Sequence, residues 1–219
     1  MDDIETIMRT APVIPVLVLD DPEQAVEIGT ALVRGGLSVL EVTLRTRRAL
    51  DVLAAMTAID GAIVGAGTVL DDAQLDHALD AGARFIVSPG LTERLARAAA
   101  ARRACFLPGV ANASDIMRGL ELGLNRFKFF PAEASGGLKA LKALAGPFGD
   151  VRFCPTGGIT LQSAPDWLAE DTVLCVGGSW LVKPGTSAAD VEAAARAAAG
   201  LRTNPRSVRP ELVEGLPSS

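Results

Sequence analysis

The chain has 219 residues, of which 49% are hydrophobic and 21% charged, with a net charge of −5. That length buries one good core, so a single α/β domain is the expectation. The acidic balance argues against a nucleic-acid partner, and no apolar run is long enough to span a bilayer.

The chain opens Met1-Asp2-Asp3-Ile4-Glu5, which is acidic and unlike a secretory signal. A cytoplasmic protein with neither a nucleic-acid nor a membrane partner is expected. Residues 2–10 read as a short leading helix. Residues 13–19 (VIPVLVL) form a continuous apolar run, the mark of a strand covered on both faces. Asp20-Asp21-Pro22 then starts a helix that ends at Gly35-Gly36. The unit recurs, with strand-like runs at 38–44, 62–69, 84–88, 105–110, 126–130, 151–155 and 173–177. Alanine- and leucine-rich helical patterns separate them, as at 71–81 and 92–103, and an alanine-rich closing helix covers 187–201. Strands alternating with helices imply a parallel sheet. Eight such units predict a (β/α)8 TIM barrel over residues 1–201, with a doubly wound open sheet as the alternative. Residues 202–219 hold three prolines with mixed charges and no periodicity, and read as a poorly ordered tail. Cys105, Cys154 and Cys175 lie in apolar runs without CxxC spacing, and read as reduced core residues.

Arg126-Phe127-Lys128-Phe129-Phe130-Pro131-Ala132-Glu133 stands out. Strand alternation puts Arg126, Lys128 and Phe130 on one face, and Phe127 and Phe129 on the other. A buried lysine is rare unless it is paired or functional, and burial disfavours its charged form. Lys128 is therefore either a Schiff-base nucleophile or a strand-end lysine snorkelling to solvent.

On the second strand, Glu41, Thr43 and Arg45 share the face that points inward in a barrel. Glu41 and Arg45 form either a mutual ion pair or a functional pair. In the functional reading, Arg45 offers a planar fork for a substrate carboxylate and Glu41 carries protons. Other strands end in Gly65-Ala66-Gly67-Thr68, Ser88-Pro89-Gly90, Thr156-Gly157-Gly158 and Gly177-Gly178-Ser179. The first offers a close backbone approach and a hydroxyl. The second can be a simple turn. The last two, after strands seven and eight, lie where barrels commonly bind phosphate, on bare amides at the start of a helix. The only histidine, His77, sits in the helical run 71–81 and reads as a surface residue. No His/Asp/Glu cluster has metal-ligand spacing, so no metal is expected.

The segments Glu41–Thr46, Gly65–Thr68, Ser88–Gly90, Lys128–Glu133, Phe153–Ile159 and Gly177–Leu181 resemble, in order, those of the 2-keto-3-deoxy-6-phosphogluconate (KDPG) aldolases. The resemblance implies a class I aldolase on a (β/α)8 barrel, usually a homotrimer. It implies cleavage of KDPG to pyruvate and glyceraldehyde 3-phosphate, the last step of the Entner–Doudoroff route, often with activity on 4-hydroxy-2-oxoglutarate. It makes Lys128 the Schiff-base lysine and Glu41 the acid/base. Arg45 and Thr68 would hold the pyruvate carboxylate with Pro89 nearby. Gly157, Gly158 and Ser179 would take the phosphate, with Thr156 and Gly178 close by. No metal or other cofactor is implied. Lys128 must attack as the neutral amine, which its apolar flank and the cation Arg45 are both expected to favour. The competing readings are an aldolase for the phosphogalactonate isomer or for 4-hydroxy-2-oxoglutarate alone, a phosphate-binding barrel isomerase or epimerase, and a non-catalytic sugar-phosphate sensor.

Overall fold

Helix starts punctuate the chain. Asp3, Asp21, Asp71, Thr92, Asn112 and Ser187 each accept a backbone N–H from the first turn of the helix they precede. Each such cap contributes about 1 kcal/mol. A computed structural model describes residues 3–201. In chain order the elements are α1 (Ile4–Arg9), β1 (Val13–Leu17), α2 (Pro22–Arg34), β2 (Val39–Thr43), α3 (Ala49–Met56), β3 (Ile63–Gly67), α4 (Asp72–Asp80), β4 (Phe85–Val87), α5 (Glu93–Ala101), β5 (Cys105–Leu107), β6 (Gly109–Val110), α6 (Ala113–Glu121), β7 (Arg126–Phe129), α7 (Gly137–Ala145), β8 (Arg152–Pro155), α8 (Ala164–Leu168), β9 (Val176–Gly178) and α9 (Ala188–Ala199). The expected tail, 202–219, and the expected start of the first helix at Asp2 lie outside the described residues.

The fold is α/β with a curled parallel sheet. Six strands run β5-β4-β3-β2-β1-β9 and three run β6-β7-β8, and every pairing is parallel. Isolated bridges Phe153↔Val173 and Thr156↔Gly177 tie β8 to the β9 segment. The run 105–110, expected as one strand, is divided between the two sheets. Pro108, which has no N–H to donate to a ladder, stands at the break. The second strand ends at Thr43 and the chain turns at once, Arg45 N–H donating to the Thr43 carbonyl at 2.8 Å.

The sheet separates two apolar cores. Leu40, Val42, Ile86, Phe127, Phe129 and Phe153 face the helices. Ile14, Val39, Phe85, Val87, Leu107, Cys154, Leu174 and Cys175 form a second cluster on the concave side, with Ile7 and Met8 of α1 packed into it. None of the three cysteines forms a disulfide; Cys154 and Cys175 are buried as expected, Cys105 is half-buried, and His77 is exposed as expected. No helix among the described residues is long and apolar enough to cross a membrane.

Arg126 fastens α1 in place. Its guanidinium is buried, donating through Nε to Glu5 Oε2 at 2.9 Å and through Nη1 to the Asn125 and Asp150 carbonyls, while Nη2 also pairs with Glu5. Burial pushes the Glu5 carboxyl up, but hydrogen bonds and charge from Arg126 and Arg9 outweigh it and hold it below its ordinary 4.5. A depressed carboxyl stabilises the fold fully above its unfolded value, and this contribution is lost as pH falls through the folded one. Glu5→Gln should therefore flatten the acid limb of stability below pH 4.5. It should also cost about 1–3 kcal/mol at neutral pH in urea titration, since a charge-assisted bond to a buried guanidinium is weakened.

Candidate active site

Lys128 is the third residue of β7, and its register partners are Gly109 on one side and Cys154 on the other. Its neighbours Phe127 and Phe129 are buried in the helix-facing core, which turns Lys128 to the concave side. Glu41, the third residue of β2, reaches the same space from across the sheet. Lys128 Nζ lies 3.0 Å from Glu41 Oε1 and 3.4 Å from Oε2, with the lysine 5% and the glutamate 3% exposed. Ionisable groups so deeply buried persist when they are paired. The Nζ also sits 5.5 Å from the centre of the half-buried Phe130 ring, within cation–π range.

Room for the carboxylate comes from a missing side chain. A Cβ built on Gly67 of β3 would fall 2.1 Å from Glu41 Oε1. Below the pair lie the apolar concave residues, including Cys154 and Cys175. Burial, reinforced by the neighbouring Cys154 thiol, pushes the Cys175 thiol well above its ordinary 9.0, so it stays protonated and unreactive at neutral pH.

Of the two readings of Glu41 and Arg45, the mutual ion pair is not the one observed. Glu41 is not the partner of Arg45. β2 has ended before Arg45, so strand alternation no longer aims it inward. Arg45 is exposed on the following turn, where its Nε donates to Thr68 Oγ1 at 3.0 Å. The charged group in contact with Lys128 is the Glu41 carboxylate, at 3.0 Å. A proton can therefore pass directly between the two.

Arg45 and Thr68 stand together beyond the ends of neighbouring strands β2 and β3. Thr68 holds a left-handed backbone, φ +60°, which is uncommon for a residue with a β-branched side chain. Pro89 follows Ser88, whose Oγ donates to the Gly90 carbonyl at 2.7 Å and tightens the turn after β4. The Pro89 carbonyl oxygen lies 2.1 Å from where a Gly109 Cβ would be, so this turn is pressed against β6.

Thr156 is buried, its Oγ1 donating to the Cys154 carbonyl at 3.3 Å. Thr156 bridges to Gly177, and this brings the two glycine pairs to adjacent strand ends. Neither pair opens a helix, contrary to expectation. After Gly157-Gly158 the next helix, α8, begins at Ala164, and after Gly178-Ser179 the next, α9, begins at Ala188. The free amides arise from peptide orientation instead. The Thr156 carbonyl accepts from Ala132 N–H at 2.8 Å, and the Gly157 carbonyl from Glu133 N–H at 3.1 Å. Because a trans peptide is planar, the N–H groups of Gly157 and Gly158 must both point the opposite way. The Gly158 N–H meets no protein acceptor among the described residues, while the Gly157 N–H is turned toward the Gly177 carbonyl across the Thr156↔Gly177 bridge. Two successive amides on one side form an anion-binding concavity. Ser179 is exposed nearby and lines a hollow of about 540 Å³ together with Val16, Val18, Asp20 and Lys183.

Lys128 and Glu41 are thus in contact, Arg45 and Thr68 are in contact, and the Thr156–Gly158 and Gly177–Ser179 segments are side by side. Phe130 lies on the Lys128 face, as alternation predicts, with its ring beside the amine. Among the described residues no group of three His, Cys, Asp or Glu side chains is arranged to hold a metal ion.

The family model for the KDPG and KHG aldolases matches residues 4–197. The 2-dehydro-3-deoxy-phosphogluconate aldolase of Zymomonas mobilis is 60% identical over 84% of this chain and 89% of its own length. A crystal structure of the Zymomonas mobilis ZM4 aldolase with 3-phosphoglycerate has a TM-score of 0.90 at 56% identity, covering 92% of this chain and 97% of that one. The Legionella pneumophila KDPG aldolase, with pyruvate captured as a covalent carbinolamine, has a TM-score of 0.86 at 40% identity, covering 90% of this chain and 98% of that one. With the family match spanning nearly all the described residues, the chain belongs to the KDPG and KHG aldolase family.

Proposed function

We propose that the chain is a class I aldolase that cleaves KDPG to pyruvate and glyceraldehyde 3-phosphate, the last step of the Entner–Doudoroff route. The observation that carries this reading is the buried contact of 3.0 Å between Lys128 Nζ and Glu41. The relative with pyruvate captured as a carbinolamine supports covalent lysine chemistry, and the relative holding 3-phosphoglycerate supports a phosphate end to the site. The family's second name supports 4-hydroxy-2-oxoglutarate as a further substrate.

The proposal takes the two sheets as one closed (β/α)8 barrel. In its favour, β5 and β6 are separated by a single residue, β9 pairs with β1, and Thr156↔Gly177 links β8 to β9. The homotrimer and the cytoplasmic location rest on the resemblance.

In the proposed reaction Glu41 takes a proton from Lys128, and the free amine attacks the C2 ketone of the substrate. Glu41 returns the proton to the carbinolamine oxygen, and water leaves to give a protonated imine. Glu41 then accepts the C4 hydroxyl proton. The C3–C4 bond breaks, its electron pair moving into the iminium to form an enamine, and glyceraldehyde 3-phosphate is released. Protonation at C3 and hydrolysis of the imine yield pyruvate and restore the lysine. No metal or organic cofactor enters the proposal. Arg45 and Thr68 hold the carboxylate, with Pro89 beside them. The amides of Gly157 and Gly158 and the Ser179 hydroxyl hold the phosphate, with Thr156 and Gly178 supporting that turn. Binding energy from the phosphate, remote from the reacting carbons, contributes positioning.

Borohydride treatment with pyruvate should add a reduced pyruvyl group to the Lys128 peptide, read by mass spectrometry. A chain that stays unlabelled would remove the aldolase reading in favour of an isomerase or epimerase. Lys128→Ala should abolish both labelling and cleavage. Arg45→Ala should weaken pyruvate more than glyceraldehyde 3-phosphate in product inhibition, and equal losses would count against its role. Gly67→Ala should drive the Glu41 carboxylate off the lysine and lower kcat by about 100-fold, with circular dichroism unchanged. Side-by-side kcat/KM on KDPG, its galactonate isomer and 4-hydroxy-2-oxoglutarate distinguishes the sibling activities.

A further inference from the structure

We infer that Glu133 is a positioning residue for the phosphate end of the site, setting the direction of the Gly157 and Gly158 amides; this rests on the proposed phosphate role of that turn. The residue follows the lysine strand by a few positions, and its side chain reaches three separate elements. Its methylene stem fills the space beside Gly158, where a Cβ would fall 2.7 Å from both Glu133 Cβ and Cγ. Its carboxylate accepts the Trp167 Nε1 hydrogen bond at 3.3 Å, and Trp167 is 1% exposed in α8. Oε2 lies 3.2 Å from the place a Cβ on Gly137 would take, at the start of α7.

The main chain explains why this matters for an anion. Amides of Ala132 and Glu133 hold the carbonyls of Thr156 and Gly157, and planarity sends the next two N–H groups to the other side. Those two N–H groups keep their directions only while the 132–133 segment stays seated against the turn. The segment is closed on itself by Gly136 N–H to the Glu133 carbonyl at 3.1 Å and Gly137 N–H to the Ala132 carbonyl at 3.0 Å. What fastens it to the far side of the turn is the Glu133 side chain, bonded to Trp167. Trp167 in turn packs on Phe129, with ring centres 6.4 Å apart, so the clasp closes on the lysine strand itself. The glutamate holds the phosphate donors from behind, on the side their carbonyls face. It works by shape and by one accepted hydrogen bond.

The stem and the acceptor can be removed separately. Glu133→Gln keeps both and should hold the wild-type KM for KDPG within about twofold. Glu133→Met keeps the stem without the acceptor and should raise that KM several-fold. Glu133→Ala removes both and should raise it by about tenfold. In every variant kcat should change by less than about twofold, and the KM for 4-hydroxy-2-oxoglutarate, which lacks a phosphate, should not move. Inorganic phosphate should compete with KDPG in the wild type and less well in Glu133→Ala. If the wild type neither favours the phosphorylated substrate nor is inhibited by phosphate, the phosphate reading of the turn fails, and the inference falls with it. If the wild type shows both and Glu133→Ala retains them, the inference alone is overturned. Equal losses on both substrates, or a fall in kcat, would mark Glu133 as merely structural and also overturn it. Should Glu133→Ala not fold, the Gln and Met variants carry the same comparison.

Discussion

An amine and a carboxylate held 3.0 Å apart, each nearly shut off from water, constrain much of the surrounding architecture. Two charges so deeply placed gain little net stability from each other, because their lost hydration offsets much of the attraction. Removing either would strand the other. The pair therefore reads as kept for chemistry, and the fold around it as arranged to hold two side chains from strands 87 positions apart in sequence. Phe127 and Phe129 lock the lysine strand to the helices. The empty Cα of Gly67 admits the carboxylate, and Phe130 covers the amine.

The same device recurs around the site. Absent side chains at Gly67, Gly109 and Gly177 each let a neighbouring group approach to a distance that a Cβ would forbid. The neighbours are the Glu41 carboxylate, the Pro89 carbonyl and the Thr156 hydroxyl. The glycines at strand ends thus shape the concave face by what they leave open. Only in the turn after β8 does the positive φ of Gly157 and Gly158 itself matter, because it allows two consecutive peptides to present their N–H groups on one side.

Much of this was legible in the residue string. Alternation placed Lys128 opposite its flanking phenylalanines, and Glu41 and Thr43 together on one face of β2. The spacing of apolar runs gave the order of strands and helices. Three things were not legible, each for a physical reason. Glu41 pairs across the sheet with Lys128 and not with Arg45, and partner choice between distant strands leaves no periodic trace. Alternation was carried two residues too far at Arg45, because the strand stops where its backbone turns back on Thr43. The glycine pairs looked like helix openings, yet their free amides come from carbonyls captured by the 132–133 segment, a long-range contact that local composition cannot reveal. The break at Pro108 is the intermediate case: the missing donor is visible in sequence, but its effect depends on which neighbour the strand was pairing with.

The leading helix, pinned by Arg126 and Glu5 with Ile7 and Met8 driven into the concave cluster, has a bearing on traffic. It packs apolar side chains beneath the lysine, on the floor of the concave face. On the proposed chemistry the keto-acid half is tethered at the bottom while the aldehyde half rests nearer the opening. The aldehyde must then depart first, and in the synthetic direction pyruvate must arrive before its partner. The covalent enamine sets that sequence of events, and the apolar floor holds the tethered half from beneath.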